Sequence, residues 1–143
     1  MIVSYPACFF KEDNDGYSVI FPDLNWLSTC GDTLNEALAM AVDCLAGYLY
    51  HAKIDNDTIP TPSPMADISL YTIADEIKIS SDGAFVNMVS VDVDAYAKVH
   101  FEKSVKKTLT IPSWLNDRAL ALNVNFSQVL QDALIELVQR QKA

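Results

Sequence analysis

Positive charge is scarce in this chain and unevenly placed. Residues 1–100 hold four lysines and no arginine against fifteen carboxylates, a net of −11, whereas residues 101–143 hold six lysines or arginines against four acids, a net of +2. The whole-chain charge of −9 therefore covers two surfaces with opposite preferences. An acidic body repels phosphate and attracts basic proteins, while a small basic module neutralises a few phosphates and releases their counterions. An enzyme with cationic charge spread over its whole surface for nucleic acid is disfavoured. Cysteine is also sparse: Cys8, Cys30 and Cys44 are odd in number and show neither CxxC nor Cys/His ligand spacing, which argues against a disulfide scaffold and a metal site. They are expected to serve as small apolar residues. His51 and His100 stand isolated, as ordinary polar residues do. No apolar run approaches the roughly 20 residues that cross a bilayer, and the first residues, MIVSYPACFFKEDNDG, carry no basic leader. A cytoplasmic protein with no membrane partner is expected.

Half of the 143 residues are hydrophobic, enough to build a core for one medium domain plus a small appended module, and too many for disorder. Residues 2–10 and 17–21 are rich in strand formers, with turn chemistry at Asp13, Asn14, Asp15 and Gly16 between them, which predicts a hairpin. Trp26 to Cys30 is predicted as a third short strand after the break at Pro22 and Asp23. Thr33 and Glu36 form a capping box, each side chain expected to take the other residue's amide. The helix behind it, to about Tyr50, carries Leu34, Leu38, Ala41, Leu45 and Leu49 on one stripe. Three prolines make residues 55–64 a loop. Residues 66–77 are predicted as a short helix, 84–93 as a fourth strand after the Asp82-Gly83 turn, and 94–100 as a connector.

From Val105 the period becomes two: Val105, Lys107, Leu109 and Ile111 fall on one face, Lys106, Thr108 and Thr110 on the other. Pro112 ends that strand. Helices are predicted over 113–122, with Trp114, Leu115, Ala119 and Leu122 inward, and from an Asn125 N-cap to about Gln141, with Phe126, Leu130, Ala133, Leu134 and Leu137 inward. One strand and two helices cannot close a core, and the economical solution is a dimer whose strands pair across a two-fold axis. A two-stranded ribbon of this kind fits the major groove of DNA. The runs KKTLTIP, WLNDRALALN and NFSQVLQDALIELV resemble the ribbon-helix-helix family. That resemblance implies that Lys106, Thr108 and Thr110 read base edges, while Asn125, Phe126 and Ser127 at the second helix start hold a phosphate. On the residues alone, a strand and helices that merely complete the N-terminal domain remain an alternative.

Tyr5-Pro6-Ala7, Gly16-Tyr17, Phe21-Pro22-Asp23-Leu24, Thr29, Gly31-Asp32-Thr33-Leu34, Glu36-Ala37, Pro60 and Pro62-Ser63 together resemble the HicB antitoxin family, in order and spacing across most of residues 1–63. The resemblance implies an α+β chain. Residues 1–100 would form a degenerate RNase H-like toxin-binding domain of three antiparallel strands, a helix and a fourth strand, without nuclease activity. Residues 101–143 would form the ribbon-helix-helix module for dimerisation and DNA binding. It further implies a basic, HicA-type mRNA-cleaving toxin and operator DNA as partners, a homodimer through the ribbon, a larger hetero-oligomer with toxin, and no cofactor. Glu12, Asp13, Asp15, Asp23, Trp26 and Asp32 are the expected toxin-facing residues. The chain departs from the family pattern at Trp26-Leu27, where a Gly-Cys pair is common, and at residues 65–83, expected as an inserted helix that contacts a partner. Two other functions are compatible with the residues: a stand-alone transcription regulator with an acidic sensor domain, and a metal-dependent hydrolase with carboxylates such as Asp13 and Asp15.

Overall fold

In a computed structural model, which describes residues 1–142, the sheet is built from β1 (Ile2–Lys11), β2 (Tyr17–Phe21), β3 (Leu27–Gly31) and β4 (Phe85–Asp92). The helices are α1 (Leu34–Ile54), α2 (Leu70–Ile77), α3 (Val93–His100), α4 (Ser113–Ala121) and α5 (Phe126–Lys142). The chain is thus α+β, with a four-stranded, wholly antiparallel sheet in the order β3-β2-β1-β4. It packs as two compact units, one of Met1–Lys53 with Asp57–Lys103, the other running from Ser104 and including Ile54–Asn56.

The first unit is organised by β1, which lies inside the sheet and is covered on both faces. Tyr5, Ala7 and Phe9 point into a core with Val19, Phe21, Leu24, Val89, Val91 and the inner face of α1. Cys8 and Phe10 point the other way, into a smaller core closed by Ile73 and Ala74 of α2. Successive strand residues face opposite sides, so burial of both faces requires an unbroken apolar run, and YPACFF supplies it. Pro6 lies beyond the last β1–β2 pair, Cys8↔Ile20, where only β4 flanks the strand.

Thr33 caps α1 as expected, its hydroxyl accepting the Glu36 amide at 3.1 Å. The return bond differs: the Glu36 carboxylate takes the Asp32 amide at 3.2 Å, one residue before Thr33. The buried stripe also differs, running through Ala37, Ala41, Leu45, Leu49 and Ala52 while Leu34 stays exposed. Close approach is the reason. A methyl on Gly31 would lie 2.3 Å from the Ala37 nitrogen, so the first turn presents its smallest side chain to the strand. Burial continues to Ala52, which carries the helix past Tyr50 to Ile54.

The 65–83 segment packs one face on the chain's own sheet. After a single 3₁₀ turn at Met65–Asp67, the Ser69 hydroxyl caps α2 through the Thr72 amide at 3.2 Å, and the helix lays Ile73 and Ala74 on the second face of the sheet. An apolar sheet exposed to water on that face would be costly, which explains the inserted helix. Residues 93–100, expected as a connector, form α3. Asp92 caps it through the Ala95 amide at 3.1 Å, Ala97 is buried, and Tyr96 and Phe101 pack on the main core. That amide, and next the chain's terminal ammonium at 3.3 Å, hold the Asp92 carboxyl below its ordinary value.

In the second unit, Asn123 takes the left-handed turn at φ 54°, and the Asn125 side chain accepts the Gln128 amide at 3.1 Å to start α5. The strand expected over 105–111 does not form, because no segment among the described residues pairs with it. None of the residues from Ser104 to Gln141 is buried.

Candidate functional site

Three of the expected toxin-facing acids converge. Glu12, Asp13 and Asp32 line a concavity of about 460 Å³ between the β1–β2 turn and the end of β3, with Cys30 on its wall. Gly16 and Gly31 bring these segments together, since a methyl on Gly16 would stand 2.8 Å from the Gly31 carbonyl oxygen. Glu12 accepts the Ser18 hydroxyl, and its amide donates to the Gly16 carbonyl at 2.8 Å, which fixes the turn. Asp15 is not part of that lining. It occupies the left-handed turn position at φ 66° and pairs with Lys11 at 3.9 Å.

Asp23 has a different job in the fold. One of its carboxylate oxygens accepts the Ser63 amide and the other the Ser63 hydroxyl, both at 2.7 Å. Alongside it, the Tyr5 hydroxyl donates to the Pro60 carbonyl at 2.5 Å. Burial, and then the Asp23 charge, push the Tyr5 phenol above its ordinary value. Four residues of the sequence pattern, Tyr5, Asp23, Pro60 and Ser63, therefore strap the proline-rich loop to the sheet. No spacing rule reveals such pairs, which lie 40 and 55 residues apart.

Trp26 departs from expectation in conformation. It precedes β3 and follows Asn25 with both residues left-handed, at φ 61° and 55°. For a tryptophan that backbone costs about 1–2 kcal/mol, and glycine would avoid the cost. The Ser28 hydroxyl donates to the Trp26 carbonyl at 2.7 Å and steadies the turn. The only sequence signal was the glycine usual there in the resembling family.

In the second unit, Leu109 and Ile111 join Leu115, Ala119, Phe126 and Leu130 around an apolar groove of about 600 Å³. Ser127 lines it as well, whereas Lys106, Thr108 and Thr110 are exposed and absent from its lining. The Phe126 and Ser127 amides sit in the first turn of α5, where a helix leaves its N–H groups without intrahelical acceptors. Among the described residues, no three His, Cys, Asp or Glu side chains gather as metal ligands, and no helix is long and apolar enough to cross a membrane.

Residues 5–119 match the family described as HicB_like antitoxin of bacterial toxin-antitoxin system. Antitoxin HicB 1 of Photorhabdus laumondii is 41% identical over 61 residues, 43% of this chain and 39% of that protein, so the chain spans about two-fifths of that relative's length. An uncharacterised 14.9 kDa protein of Haemophilus phage HP1 is 31% identical over 114 residues, 80% of this chain and 77% of the phage protein. Among solved structures, a chain of a toxin-antitoxin complex from Streptococcus pneumoniae superposes with a TM-score of 0.61 at 35% identity, over 95% of this chain and 99% of that one. The chain therefore belongs to the HicB-like antitoxin family of bacterial toxin-antitoxin systems.

Proposed function

We propose that this chain neutralises a HicA-type mRNA-cleaving toxin through its acidic first unit, and represses its own operon by binding operator DNA as a ribbon-helix-helix dimer through its second. Family membership supports the toxin, as does the net of −11 over residues 1–100, which favours a basic partner. Inhibition is steric on this reading: a partial RNase H-like sheet covers the toxin's catalytic or RNA-binding surface and needs no catalytic residue or cofactor of its own. Charge complementarity speeds the encounter, and buried apolar contacts set its lifetime.

The observation that carries the DNA-binding half is the second unit's lack of a core. From Ser104 to Gln141 no residue is buried, yet Leu109, Ile111, Trp114, Leu115, Phe126 and Leu134 stand exposed around or near an apolar groove. A second copy supplies what is missing: the two 105–111 segments pair antiparallel, Leu109 and Ile111 turn into the joint core, and Lys106, Thr108 and Thr110 form the outer face of the ribbon. The Phe126 and Ser127 amides, ordered by the Asn125 cap, then meet a DNA phosphate. A net of +2 per module is small, so affinity comes from pairing modules.

Two measurements test this. Coexpression with its cognate HicA-type toxin should yield a stable complex without RNase activity, and failure to copurify removes the antitoxin reading. A shift assay on the promoter fragment at defined salt should show binding that Lys106→Ala weakens, with a salt slope reduced by about one. Sedimentation showing only monomer at micromolar concentration would refute the ribbon.

A further inference from the structure

We propose that the toxin docks on the flank shared by β3 and α1, with the Trp26 indole as its apolar anchor. The inference rests on the antitoxin reading above and adds the face that does the work.

Three observations meet there. Trp26 is 44% exposed although its backbone lies in a conformation that a large side chain adopts only at a cost, so the indole is displayed against the local preference of the chain. The α1 flank continues the apolar surface: the Cys44 thiol donates to the Ser28 carbonyl at 3.8 Å, and Ser28 in turn holds the Trp26 carbonyl. Met40, one helical turn from Cys44 on the same side, is 39% exposed. Tryptophan and methionine suit an interface, the first as a rigid anchor and the second as an adaptable filler.

Charge selects the occupant. From Glu12 to Tyr50 the chain has seven carboxylates and no lysine, arginine or histidine. Asp32 and Glu36, both exposed, border β3 and the first turn of α1, while Asp23 and Asp43 are tied internally, Asp23 to Ser63 and Asp43 by the Tyr96 hydroxyl at 2.8 Å. An apolar patch bordered by Asp32 and Glu36, on a stretch of chain without a cation, repels nucleic acid and a second acidic copy, and it fits a basic protein with an exposed apolar pocket.

The test uses the full chain and its cognate HicA-type toxin, with affinity measured by calorimetry at two salt concentrations. Trp26→Gly relieves the left-handed backbone, so its denaturation midpoint should rise while its affinity for the toxin falls at least ten-fold. Met40→Lys, at an exposed helix position that lysine tolerates, should slow association and weaken binding by a similar factor. Tyr71→Ala, on the far side of the sheet at a residue 77% exposed, should leave affinity unchanged. If the unaltered chain binds the toxin and both flank variants bind equally well, this docking face is wrong and the antitoxin reading stands. If the unaltered chain does not bind it, the antitoxin reading itself fails. Loss of self-association in Trp26→Gly with unchanged toxin affinity would assign the flank to a second copy and overturn the proposal.

Discussion

Two glycines in one unit should respond to the same substitution with opposite signs. A Cβ on Gly31 would meet the Ala37 nitrogen at 2.3 Å, the Ala37 Cα at 2.7 Å and the Glu36 carbonyl carbon at 2.7 Å, all of them backbone. No side chain can rotate away, so the first turn of α1 must retreat by about 1 Å to restore contact near 3.4 Å, and the Ala37 and Ala41 packing opens with it. Overpacking of this kind costs about 3 kcal/mol. In a chain of this size that corresponds to a fall in Tm of about 10 °C. Gly31 does not occupy the left-handed region, so space alone sets the penalty. Gly47 lies inside α1, and a Cβ there would find only the Phe101 ring at 3.8 Å. Gly47→Ala should therefore stabilise by about 0.5–1 kcal/mol through helix propensity. Urea unfolding followed by circular dichroism, at fixed protein concentration, reads both. A Gly31→Ala midpoint within about 0.5 kcal/mol of the parent would refute the close-approach argument.

Three further outcomes follow from the geometry. Because the Asp92 carboxyl is held below its ordinary 3.8, its folded form binds protons less readily than the unfolded chain; its contribution is complete above that value and is lost as pH falls through the folded pKa. Asp92→Asn should accordingly flatten the acid limb of a stability–pH curve and leave its slope near neutrality unchanged. The Cys8 thiol is pushed up to about 11, first by burial and then by the Asp23 charge, and Cys44 is raised by burial and then by Asp43. At pH 7.5 a thiol reagent should label exposed Cys30 first and reach Cys8 only on unfolding, which peptide mapping after a timed quench will show. Asp23→Ala strands the Ser63 amide and hydroxyl and should cost about 1–3 kcal/mol, while a double-mutant cycle with Ser63→Ala should return a clear coupling energy.

What the sequence made legible was local in origin. The β1–β2 hairpin, the Thr33 cap, the Asn125 cap and the Asn123 turn each depend on residues within a few positions of one another, and each lies where the pattern put it. α3 was missed although Val93, Tyr96, Ala97 and Phe101 recur at helical spacing, because a stretch of eight residues after a strand reads equally well as a connector. The role of α2 was hidden for a different reason: whether an apolar helix face meets a partner or the chain's own sheet depends on the second face of β1, which only the assembled sheet reveals. The candidate site divides in the same way. Charge and the family resemblance named Glu12, Asp13, Asp15, Asp23, Trp26 and Asp32, of which only Glu12, Asp13 and Asp32 share a concavity, whereas the Asp23–Ser63 strap and the left-handed Trp26 are settled by contacts and dihedrals that no periodicity encodes.

If the unit running from Ser104, where none of the residues to Gln141 is buried, folds only as the proposed dimer, its folding equilibrium is second order in protein. Its order should melt away on dilution while the sheet, with a complete core in one chain, stays folded. On the proposed function, the DNA-binding half would then gauge how much of the chain the cell holds, while the half proposed to meet the toxin would work at any dose.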